Sequence, residues 1–189
     1  MRNNLFLLLI ALLSFGLSAL IKAKPETVPK THIAKKDPQE YMKGVFVTIF
    51  TEQGLLKDEL SAHYWAYLPE AKISTLVTPQ LIVYKPDGTT WIINAKRGKI
   101  KQPTLGTIEQ IALQEEVVLE RPATKITLPI KLETEELRYQ PKKQYAESDV
   151  FITMTKPDLK ITGTGLRAFL DQSSVELLRD VKTYYTVTR

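Results

Sequence analysis

From Tyr41 onward, apolar and polar residues alternate with a period of two, the pattern of a strand with one buried face. Val45, Val47 and Ile49 fall on one face, Phe46, Thr48 and Phe50 on the other, and Glu52-Gln53-Gly54 marks a turn. Gly54 opens a second strand in which Leu56, Leu60 and Ala62 share a face. Asp58 interrupts that face, and because a lone buried carboxylate is costly it is expected at a rim or beside a partner. Residues 75–85 form the next expected strand, ending at Pro86-Asp87-Gly88, where Pro pre-sets φ and Asp hydrogen-bonds its own backbone. The returning strand carries Trp91, Ile93 and Ala95 on one side and Ile92, Asn94 and Lys96 on the other. Further strands are expected at 108–113, 117–121, 126–134, 137–139, 150–155 and 159–162. The last segment reads in two ways. Ser173 with Glu176 could cap a short helix with Leu177, Leu178 and Val181 inward; as a strand, Val175, Leu177, Val181, Tyr185 and Val187 line one face, with Thr183 and Arg179. The strand is preferred, and short strands with almost no helical period describe an all-β sandwich or barrel.

The first 40 residues follow other rules. Residues 5–21 read LFLLLIALLSFGLSALI, about 17 residues without a charge that would span ~25 Å as a helix, just enough to cross a bilayer. A cleaved signal peptide is the rival, since Arg2 supplies a short basic start. Its cleavage site is weak: Gly16 and Ser18 lie inside the apolar run, and cutting after Ala23 would put Ile21 at −3. The reading is therefore an uncleaved transmembrane anchor at 1–22, with Ala11, Ser14 and Ser18 forming a stripe on which a second membrane helix could pack. Arg2 and Lys22 with Lys24 flank it, so charge alone leaves its orientation open. Residues 23–40, with Pro25, Pro29 and Pro38 among lysines, make an extended basic linker, and 41–189 make the folded domain. Beside a membrane, Lys22, Lys24, Lys30, Lys35 and Lys36 would meet anionic headgroups; they serve equally as a solvated leash.

Composition narrows the chemistry. The chain of 189 residues suits one domain and an anchor. It has no cysteine, so disulfides, thiol nucleophiles and thiolate metal sites are excluded, and the redox compartment is left open. Only His32 and His63 are present, which leaves no histidine triad or zinc cluster. Glu115-Glu116 and Glu135-Glu136 would point to opposite faces of a strand and are better read as solvated turns than as catalytic pairs. Gly163-Thr164-Gly165 lacks the spacing of a phosphate loop. The run 96–101, KRGKIK, could meet phosphate groups, but lysines that keep a solvated strand edge from pairing explain it better. Neither an enzyme, a cofactor nor a nucleic-acid partner is expected.

Several features resemble, in order, the lipopolysaccharide export protein family LptC over essentially the whole chain. The segment 54–62, GLLKDELSA, resembles the family's glycine turn and following strand, and 91–95, WIINA, its tryptophan strand. Residues 132–141, LETEELRYQP, then Ser148-Asp149 and Gly163-Thr164-Gly165-Leu166 match its later block. Asp58, where the family more often carries an apolar or aromatic residue, and the polar 171–174 depart from it. The resemblance implies a periplasmic β-jellyroll open along one side, held by a single anchor in the inner membrane, that receives lipopolysaccharide from the LptB, LptF and LptG transporter and passes it to LptA for assembly in the outer membrane. It implies that inward residues shield acyl chains, and the residues expected to do so are Leu60, Ala62, Leu81, Val83, Trp91, Ile93, Leu132 and Ile152; in a closed sandwich they would be core. Gly54 and either Gly163 or Gly165 carry over as structural glycines at the interaction edges. The transporter would dock at the N-terminal edge and anchor, LptA at the C-terminal edge, both by strand addition. The alternatives are a soluble LptA-like periplasmic bridge and a closed structural or adhesive sandwich.

Overall fold

The computed structural model describes residues 40–101, 108–125 and 127–185. The expected anchor at 1–22, all but Glu40 of the linker, His32, Ile126 and Val187 lie outside the described residues. Among the described residues, no helix is long and apolar enough to cross a membrane.

Eleven strands of the described residues form one antiparallel sheet: β1 Glu40–Phe50, β2 Leu56–Leu68, β3 Ile73–Val77, β4 Gln80–Tyr84, β5 Thr90–Asn94, β6 Arg97–Lys101, β7 Gln110–Arg121, β8 Ile130–Gln140, β9 Tyr145–Lys156, β10 Leu159–Phe169 and β11 Ser174–Tyr185. A 3₁₀ turn, Pro141–Lys143, joins β8 to β9. From β7 the order is sequential to β11, because short turns favour antiparallel neighbours. On its other side β7 pairs with both β5 and β6, and β2 likewise pairs with β3 and β4 before β1 closes the series. The sheet rolls on itself around one apolar core. Two side-chain bonds tie its first and last halves across that core: Lys85 Nζ donates to Ser173 Oγ at 2.8 Å, and Tyr139 OH donates to Asp58 Oδ1 at 3.2 Å.

Alternation predicts the faces well but the strand lengths poorly. The strand expected at 75–85 is two strands, parted by Thr78, at φ 47°, and by Pro79, which has no N–H for the ladder. Conversely the strands expected at 108–113 and 117–121 merge into one, β7, which begins at Gln110 and is interrupted by Glu115 and Glu116 at φ 64° and 52°. Irregularities recur between Thr134 and Arg138, at Gly165 and at Asp180, so a crease crosses the sheet and bends each strand in turn. Its backbone remains bonded: Thr78 N–H donates to Lys96 C=O at 2.8 Å and Lys96 N–H to Glu115 C=O at 2.9 Å. The terminal segment is the strand β11.

The run 96–101 differs from the expectation of an edge. β6 lies between β3 and β7, and its basic side chains form the outer face of an interior strand. Lys96 pairs with Glu116, Arg97 with Glu115 at 2.8 Å and Lys101 with Glu109 at 3.5 Å. The bulged glutamates of β7 thus pair with Lys96 and Arg97. The free edges belong to β1, which pairs only with β2, and β11, which pairs only with β10, among the described residues.

Candidate functional site

An apolar row crosses the whole sheet. In Cα register, Val47 faces Leu60, then Leu81, Ile93, Leu119, Leu132, Met154 and Ile161 follow on successive strands. Strand alternation puts each of these on the inner face, and the row needs no loop to assemble it. Four of the eight residues expected to shield acyl chains stand in this row: Leu60, Leu81, Ile93 and Leu132. Val83 and Trp91 are register partners in the adjacent row, Ala62 faces Val45, and Ile152 stands between Thr134 and Gly163. All eight are buried in the core.

The row meets solvent at β1. Val45, Val47 and Ile49 are only half-buried, and between them and the β8–β9 turn lies a cleft of about 750 Å³. Met42, Phe46, Trp65, Ile108 and Pro141 supply more of its apolar wall, Lys57 and Lys142 its basic members. A second cleft of about 700 Å³ shares Ile49, Phe50, Lys57 and Lys142 with the first and adds Lys85 and Lys143. An apolar trough with ammonium groups is suited to a ligand with hydrocarbon chains and anionic groups. Alternation alone identifies the inward residues; it could not place Ile108, Pro141 or Lys142 at this mouth, since folding across the core brings them there.

Asp58 lies in the wall of the larger cleft, fully buried, in the row of Ile49 and Val83. Tyr139 is the partner that the interrupted β2 pattern required, but Asp58 Oδ2 finds none among the described residues. Burial pushes the Asp58 carboxyl up to about 6, against the opposing effects of the Lys57 ammonium and the Tyr139 hydrogen bond. Burial also raises the Tyr139 hydroxyl, and the Asp58 charge adds to that. Among the described residues, no group of three or more His, Cys, Asp or Glu is placed to hold a metal. His63 is exposed on β2.

The three glycines have distinct surroundings. Gly54 closes the β1–β2 turn at φ 78°, donating its N–H to Thr51 C=O at 3.0 Å. Gly165 is the bulge of β10 at φ 83°, and a Cβ there would lie 3.1 Å from Leu178 Cδ1. Gly163 has ordinary φ, but a Cβ would approach the Arg179 carbonyl oxygen to 3.1 Å. Either β10 glycine therefore governs how closely β11 packs.

A rolled antiparallel sheet with two free edge strands and an apolar trough defines the class as an all-β jellyroll. Its fold is similar to that of LptH of Pseudomonas aeruginosa, the LptA homologous periplasmic component of the lipopolysaccharide transport device. That similarity has a TM-score of 0.53 at 8% identity, covering 69% of this chain and 95% of LptH. No curated protein matches the sequence. Residues 6–186 match the family described as lipopolysaccharide-assembly, LptC-related, and the chain belongs to that family.

Proposed function

We propose that this chain is a non-catalytic carrier in lipopolysaccharide transport, taking the lipid from the inner-membrane LptB, LptF and LptG transporter and handing it to LptA. The apolar row opening at β1 carries this reading. Each acyl chain resists water by about 0.8 kcal/mol per CH₂, so a carrier must offer a continuous apolar lining. Leu60, Ala62, Leu81, Val83, Trp91, Ile93, Leu132 and Ile152 supply that lining, and a chain reaches them when the β1 edge moves aside. The free edges of β1 and β11 are suited to strand addition, the first toward the transporter and the second toward LptA. Residues 1–22 anchor the chain in the inner membrane, 23–40 form the linker, and the sheet lies in the periplasm. ATP hydrolysis by the transporter drives the movement.

A photoreactive residue at Ile49 should crosslink to lipopolysaccharide in cells, and the crosslink should vanish when ATP hydrolysis by LptB is blocked. Capture only from outward Ile92 would overturn the assignment of the trough, and capture from neither would favour the closed structural sandwich. One at Tyr184 on β11 should capture LptA. The anchor is checked by intact mass: retention of residues 1–22 is expected, whereas a mature start near Ala19 or Lys24 would make the chain a soluble bridge.

A further inference from the structure

The wall of the β1 cleft is mostly apolar, and Asp58 is its one acidic member. Asp58 stands between Ile49 and Val83 in register, fully buried, with Oδ1 held by Tyr139 and Oδ2 without a partner among the described residues. An unpaired buried carboxylate oxygen is costly, and an apolar side chain at 58 would continue the row without that cost. Lys57 and Lys142 belong to the same cleft. The arrangement combines cations, an apolar wall and one buried acceptor.

We propose that Asp58 Oδ2 is a polar recognition point that accepts a hydrogen bond from an O–H carried on an acyl chain, while Lys57 and Lys142 hold the anionic group of the same ligand. The class selected is an anionic glycolipid with hydroxylated acyl chains. This rests on the carrier reading and adds a chain preference to it. Plain chains fill the same apolar wall but leave Oδ2 unpaired, so they bind less tightly. Tyr139 is a positioning residue: its hydroxyl fixes Oδ1 and leaves Oδ2 without a partner among the described residues, to be reached when the β1 edge moves aside.

Two synthetic probes test this, a glucosamine phosphate bearing two 3-hydroxytetradecanoyl chains and its counterpart with two tetradecanoyl chains. Trp65 lines the cleft and the only other tryptophan, Trp91, is fully buried, so a change in the tryptophan fluorescence of the unsubstituted full-length chain reports binding at the cleft. The hydroxylated probe should bind about tenfold more tightly, the scale of one charge-assisted hydrogen bond. Asp58→Leu should bind both probes equally, and Asp58→Asn, which keeps an oxygen for Tyr139, should show an intermediate preference. Equal binding of both probes to the unsubstituted site, or a preference that survives Asp58→Leu, overturns the recognition point while leaving the carrier reading intact. If neither probe binds and Ile49 fails to capture lipopolysaccharide in cells, the carrier reading fails as well. A Trp65 signal that ignores lipid but follows protein concentration would give the cleft to a second copy of the chain and also overturn the proposal.

Discussion

Asp58 is a fully buried carboxyl in an apolar row, and its titration makes that measurable. Its carboxyl is raised to about 6 from an ordinary 3.8, so between those values the folded chain keeps a proton that the unfolded chain has released. Stability supplied by this group therefore falls as pH rises through the window, by on the order of 3 kcal/mol at pH 7. Asp58→Asn removes the ionisation, so it should be more stable than the parent by about 1–3 kcal/mol at pH 7 and gain nothing at pH 4. Urea unfolding of both chains across that range checks this, and a constant difference would refute it. The sequence announces Asp58 as an interruption of an apolar face, but it could not name Tyr139, which lies 81 positions away and arrives by tertiary folding. The acid pairs show the opposite case: reading Glu115-Glu116 as a turn anticipates their left-handed bulge, yet not that Lys96 and Arg97 meet them.

Among the elements, the faces of the strands were legible and their ends were not. Inward positions such as Trp91, Ile93 and Ala95 follow from alternation because a period of two is a local property of extended backbone. A bulge breaks the alternation without ending the pairing, so β7 and β8 each read as two shorter strands. The bulge at Gly165 has a specific requirement. A Cβ at φ 83° is strained by about 1–2 kcal/mol, and Leu178 must also give way, so Gly165→Ala should lower stability by about that amount or more. Because the contact is with β11, hydrogen exchange should quicken first in β10 and β11 and leave β4 and β5 protected. Uniform quickening would show that the glycine governs the whole sheet instead of the edge.

For the whole molecule, the question is whether the inner face serves as a core, as a trough, or as both. The eight inward residues could be named from the sequence because core and trough demand the same apolar alternation; the same fact kept the sequence from distinguishing the two uses. Two positions give a handle on these uses: Ile93 is fully buried, whereas Ile49 is half-buried in the cleft at a free-edge strand. Ile93→Ala removes packed methylenes and should cost about 2–5 kcal/mol, enough to lower the unfolding midpoint clearly. Ile49→Gln places a polar group where solvent can reach it, without a second carboxylate opposite Asp58, and should lower that midpoint far less. It should nevertheless obstruct hydrocarbon at the mouth, reducing lipopolysaccharide capture by a photoreactive residue at the neighbouring Val47. Capture lost with stability retained would show that the row works as a trough beginning at β1. If Ile49→Gln is captured as well as the parent, acyl chains do not pass this edge, and the apolar row is a core alone.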